Sequence, residues 1–118
     1  MVNSYKDLLV WQKGMQLVKE LYLLTDKFPK DELYGLTSQM QRAAVAIPSN
    51  IAEGYLRNHR KEYVQFLSIA LGSAAELETQ TLICKSLNKF SLLQFDRIER
   101  LVNELLRMIF SMIKSLKE

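Results

Sequence analysis

Apolar residues return at steps of three and four along almost the whole of this chain, a period that admits helices and little else. Between Leu8 and Thr25 the series is Leu8, Trp11, Met15, Val18, Leu21 and Tyr22, with Gln12, Lys13, Gln16, Lys19 and Glu20 mostly opposite. Leu36, Met40, Ala43, Ala44, Ile47 and Ile51 repeat the spacing, as do Tyr63, Phe66, Leu67, Ala70, Ala74, Leu77, Thr81, Cys84 and Leu87. A fourth series runs from Leu92 or Gln94 to Leu116. Four Gly and two Pro among 118 residues leave little material for the reversals of a sandwich or barrel, and no strand-like alternation is present. The spacing predicts helices over about 8–27, 36–53, 61–88 and 94–116, joined by short links. The economical architecture is one all-α domain over 1–118, an antiparallel up-and-down four-helix bundle.

The few helix breakers then acquire specific expectations. The first helix should stop before Pro29, with Lys27 near its negative end. Pro48 falls inside the second series, where it removes a backbone donor and collides with the carbonyl four residues back, so a kink is expected. The freed carbonyl of Ala44 needs another donor or a water, and Asn50 or Ser49 could help rearrange that turn. Gly54 is a natural C-terminal stop because it can adopt positive φ. Gly72, in the small-residue run Ala70-Leu71-Gly72-Ser73-Ala74-Ala75, costs roughly 1 kcal/mol in mid-helix. Close backbone approach is the expected compensation.

The last helix is apolar over more than one stripe: Leu101, Val102, Leu105, Leu106, Met108, Ile109, Phe110, Met112 and Ile113 exceed the roughly 100° arc that one bundle core needs. A second copy of the chain is the simplest cover, and Leu105, Met108, Ile109 and Met112 are the expected oligomer interface.

No reaction centre is legible. A single histidine, His59, precludes the paired Glu-x-x-His ligands of a di-metal bundle, so no metal or cofactor is expected. Cys84 lies on an apolar face and reads as a buried inert thiol. Ser86/Lys89 and Ser111/Lys114 have serine-x-x-lysine spacing without the supporting motifs that give it meaning, and glycines 14, 35, 54 and 72 are too dispersed for a phosphate loop. The chain is not expected to be an enzyme. The start lacks a secretory apolar region, one cysteine allows no internal disulfide, and no apolar run reaches membrane-spanning length, so a cytoplasmic, membrane-free protein is expected.

Glu53, Glu62, Glu76 and Glu78 with Arg42 and Arg57 could form polar contacts between the second and third helices. The denser feature is Arg57-Asn58-His59-Arg60-Lys61, three fixed positive charges and an imidazole at one end of the bundle. It reads either as a solvated turn or as a phosphate contact, with Tyr55 as a base-stacking aromatic or a side chain packed on the helix ends.

Tyr5-Lys6-Asp7-Leu8 with Val10-Trp11-Gln12-Lys13, Tyr34-Gly35-Leu36-Thr37-Ser38-Gln39, Arg42 to Gly54, Glu62-Tyr63, Phe66 to Ala70 and Gly72 to Gln80 carry a resemblance over residues 5 to about 85. The chain resembles the bacterial four-helix bundle protein family, also called the 23S ribosomal RNA intervening-sequence protein family. The resemblance implies a homopentameric ring, no enzymatic activity, and a molecular role unsettled for most members. The accessory variability proteins of diversity-generating retroelements, related in fold, bind a reverse transcriptase and nucleic acid. Two positions depart from the family pattern: Leu56 stands where glycine is usual and His59 where serine is usual. Serine there would cap the third helix with Glu62; with His59, either Asn58 takes over or that end frays.

The combined expectation is a homo-oligomer, pentameric by resemblance, binding RNA or DNA through Arg57, Arg60 and Lys61, with Arg42 less suited because it lies inside a helix. Repetition around a ring would turn a modest +3 per copy into a strong field for polyanions. The alternative is a protein-binding scaffold, or an accessory subunit for a nucleic-acid enzyme such as a reverse transcriptase.

Overall fold

The structure, a computed structural model, describes residues 2–118. Four helices carry the chain: α1 (Leu9–Thr25), α2 (Ser38–Leu56), α3 (Arg60–Ser86) and α4 (Asp96–Lys117). Each packs on its neighbour in sequence and α1 closes on α4, giving an up-and-down bundle of 45 × 22 × 22 Å. Its core is drawn from all four helices, with Leu17, Leu21, Ile47, Leu67, Leu77 and Leu105 fully enclosed. At the end holding the α1–α2 and α3–α4 connections, Phe28 meets Phe90 edge-on at 4.9 Å and Phe95 at 6.2 Å.

The connections are more structured than the sequence suggests. After α1 come a single 3-10 turn at Lys30–Glu32 and a π-helical turn at Leu33–Thr37. Gly35 adopts φ −113° and ψ −113° there, and the Glu32 carboxylate folds over it to accept the Leu36 N–H at 3.2 Å. A Cβ at Gly35 would lie 2.9 Å from that carboxylate oxygen. Lys89 completes a latch by donating to Asp31 at 2.9 Å and Glu32 at 2.8 Å, tying the two connections together. The lysine holds the Glu32 carboxyl below its ordinary value of 4.5, and the Leu36 N–H acts in the same direction.

The glycines do different work from that expected. Gly54 does not end α2, which runs on to Leu56, and no glycine in the described residues has positive φ. The left-handed residue is Asn58 at φ 62°, a role asparagine tolerates better than most side chains. Gly54 is instead a contact point: a Cβ there would lie 2.8 Å from Phe66 Cβ and 3.1 Å from Tyr63 Cδ1. The close approach expected of Gly72 belongs to Gly54 and Gly14; Gly72 is exposed, with nothing of its own chain within 4 Å of an added Cβ. Gly14 lies under the ring of Pro48, 3.3 Å from its Cβ. The helix α2 continues through Pro48, and Asn50 Nδ2 donates to the Ala46 carbonyl at 2.7 Å rather than reaching Ala44.

The surplus apolar width of α4 is mostly absorbed within the chain. Leu105 and Ile109 are fully buried in its own core, which corrects their assignment to an oligomer interface: neither has area left to offer a copy. Met108, Met112, Leu106 and Ile113 are half-buried along the seams, because a helix at the corner of a bundle faces two neighbours. Only Phe110 of the nine stands largely exposed. Other uncovered apolar side chains are spread over the surface, Leu23 on α1 and Leu56 on α2 among them, and α3 presents Ile69, Leu82 and Ile83 on the same outward side as Gly72 and Ala75. No helix in the described residues is long and apolar enough to cross a membrane.

Candidate nucleic-acid interface

The antiparallel topology brings the α2–α3 turn, the start of α1 and the end of α4 to one end of the molecule. Beyond the level where Lys13 bridges Glu104 at 3.1 Å and Gly14 meets Pro48, the cations are Lys6, Arg57, Arg60, Lys61, Arg107, Lys114 and Lys117. The anions are Asp7, Glu53, Glu62 and Glu118. This surplus accounts for the whole formal charge of +3, so the opposite two-thirds of the bundle is balanced. The charge run 57–61 is legible in sequence; its union with Lys6, Arg107, Lys114 and Lys117 follows from the fold.

The three basic site residues are not equivalent. Arg57 is exposed but engaged by its own chain, with Nε 3.2 Å from Glu53 Oε2 and the guanidinium 5.0 Å from the Phe66 ring centroid. Arg60 and Lys61 are exposed and have no acidic partner within 4 Å among the described residues. They are also the first two residues of α3, where backbone N–H groups point outward and the helix dipole is positive. His59 is the N-cap residue, extended at φ −133° and ψ 128°, but no side chain caps the helix; Asn58 makes the turn and does not take over the cap. Glu62, in the first turn, is the acidic residue nearest this cluster in sequence.

Tyr55 is half-buried and packs edge-on against Tyr63 at 6.2 Å, so it is a helix-end packing residue rather than a free stacking platform. Burial, with Tyr55 beside it, pushes the Tyr63 phenol above its ordinary value of 10.0. Arg42 sits fifteen residues before Arg57, about 22 Å along the helix axis, in a groove with Gln39, Ser73 and Glu76. No ion pair among the described residues joins α2 to α3. Pairs instead fasten α4, through Lys13–Glu104 and Glu20–Arg97 to α1 and Lys85–Glu99 to α3.

Burial, reinforced by the charge of Glu32, pushes the Cys84 thiol up to about 11, and its Sγ sits 3.7 Å from Met40 Sδ. Ser86 donates its hydroxyl to the Ile83 carbonyl at 2.7 Å while Lys89 is committed to Asp31 and Glu32. Neither arrangement presents an activated nucleophile. Among the described residues no group of three His, Cys, Asp or Glu side chains is placed to hold a metal ion.

Fold and charge together define an antiparallel four-helix bundle with one basic end. Its residues 6–111 match the family model described as 23S rRNA-intervening sequence protein, and the chain belongs to that family. No curated protein matches it.

Proposed function

We propose that this protein is a non-enzymatic homo-oligomer that holds RNA or DNA by the phosphate backbone at its basic end. The observation that carries the reading is the gathering of the net charge at one end of the bundle, where the uncapped start of α3 presents Arg60 and Lys61 without acidic partners among the described residues. Outward N–H groups, a positive dipole end and two exposed cations attract phosphate oxygens without reading base sequence. Arg57 supports the turn, with its guanidinium stacked on Phe66, and contributes less to the ligand than its two neighbours.

One copy at +3 is a weak polyanion binder, and repetition strengthens it. The outer face of α3 favours such repetition: Ile69, Leu82 and Ile83 are uncovered, and Gly72 with Ala75 lets a second backbone come close. Pentameric assembly is the form the family resemblance implies. Native mass spectrometry with a single-stranded RNA of about twenty nucleotides, longer than the roughly 4–16 nucleotides that one single-strand-binding OB fold covers, tests both parts. The expected species is a homopentamer carrying RNA, shed as ammonium acetate is raised. A monomer, or an oligomer that retains no RNA at low salt, would overturn the proposal.

A further inference from the structure

At the basic end the seam between α1 and α4 opens into an apolar groove of about 420 Å3, lined by Leu8, Leu9, Val10, Met108 and Met112, with Arg107 and Ser111 on the α4 bank. We propose that this groove docks an acidic amphipathic helix from a protein partner. The lining decides the first half of that statement. Five aliphatic or thioether side chains offer a phosphate nothing, so the occupant must bring apolar groups. Met108 and Met112 are half-buried; unbranched and polarisable, they can repack around anchors spaced at i, i+3 or i+4 and i+7.

Charge decides the second half. Arg107 lines the groove and Lys114 lies seven residues on, two turns along the same bank, while Lys6 stands just before Leu8. None of the three has an acidic partner within 4 Å among the described residues, and no carboxylate lines the groove. The nearest in sequence are already engaged: Asp7 accepts the Asn3 N–H at 3.0 Å, and Glu104 is bridged to Lys13. That bridge also closes the seam one turn nearer the middle, leaving the groove open toward the basic end. A partner helix with Glu or Asp flanking its apolar stripe matches both features.

The test uses the full chain with 13C-methyl methionine, followed by NMR. The probe is a synthetic helix of about fifteen residues carrying a Leu stripe at i, i+3, i+4 and i+7 with Glu flanks. Its addition should move the Met108 and Met112 methyl signals and leave that of Met40, which is fully enclosed, unchanged. Arg107→Glu, an exposed substitution that spares the core, should weaken the probe at least about tenfold, and so should exchanging the probe's Glu for Lys. Met112→Lys should abolish the shifts while circular dichroism stays helical. No shift with the Glu peptide, equal binding of the Lys peptide, or the same shifts produced by a uridine oligonucleotide would each overturn the proposal. So would a fall in oligomer size on Met112→Lys without peptide, which would assign the groove to a second copy.

Discussion

Three glycines that look alike in the sequence should respond differently to the same substitution. In mid-helix, Gly→Ala gains about 1 kcal/mol from helix propensity wherever the new methyl meets no obstacle. At Gly54 the methyl would lie 2.8 Å from Phe66 Cβ and 3.1 Å from Tyr63 Cδ1. The Tyr63 ring can tilt away, but Phe66 Cβ is fixed to the α3 backbone, so α2 and α3 must separate. Overpacking of this kind costs typically 1–3 kcal/mol. Together with the looser packing between the two helices, it should outweigh the propensity gain, for a net loss of about 1–2 kcal/mol. At Gly14 the obstacle is the Pro48 ring at 3.3 Å, tight but not overlapping, so strain and propensity should nearly cancel. At Gly72, with nothing within 4 Å, the dissociated chain should gain about 0.5–1 kcal/mol. Urea denaturation at low protein concentration reads all three, and melting should move by about 3–6 °C per kcal/mol at this chain length. If Gly54→Ala proves as stable as the parent, the assignment of Gly54 to close packing is wrong.

The Lys89 latch gives a pH signature. Because the folded state lowers the Glu32 pKa below 4.5, its contribution is present above that value and is lost as pH falls through the depressed one. Lys89 is raised above 10.5 by its bonds to Asp31, then Glu32, so its contribution is full below 10.5 and disappears as pH rises through the raised value. The protection factor of the Leu36 amide, its exchange relative to the intrinsic acid- and base-catalysed rate, should therefore fall at both extremes, and Lys89→Met should flatten that profile. Cys84, fully enclosed and with its thiol pushed up to about 11, should resist a thiol reagent at neutral pH until urea unfolds the chain. Reaction at the rate of a free thiol would contradict its placement in the core.

The four helices were legible because a 3.6-residue period survives any tertiary arrangement, and each of the four apolar series became one of them. Their ends were less so: α1 stops at Thr25 because the chain tightens through Lys27 N–H to Leu24 and Phe28 N–H to Thr25 bonds, a local choice with no clear sequence mark. Gly54 took the close approach expected of Gly72, and Asn58 took the left-handed turn expected near Gly54, because a glycine announces only a missing side chain; whether that serves a left-handed turn or a close neighbour depends on what packs there. The width of α4 misled for a related reason. Leu105 and Ile109 sit in the core and Met108 with Met112 along a seam, a division set by the positions of α1 and α3.

Part of the site was legible in the same sense. The charges of Arg57, Arg60 and Lys61 are plain in the chain, yet their inequality arises from Phe66, nine residues beyond Arg57 and brought beneath it by the turn at Asn58. The groove at Leu8, Met108 and Met112 had only a compositional trace, because its two banks lie a hundred residues apart.

The most direct measurement is the salt dependence of RNA binding by the parent and by Arg57→Ala, Arg60→Ala and Lys61→Ala, each at matched oligomer size. For each phosphate that an RNA-bound subunit no longer neutralises, the slope of log K against log salt should fall by about 0.7 on a single strand. Arg60→Ala and Lys61→Ala should flatten the slope, while Arg57→Ala should leave it nearly unchanged. A slope indifferent to Arg60 and Lys61, or one that collapses with Arg57 alone, would contradict phosphate capture at the start of α3.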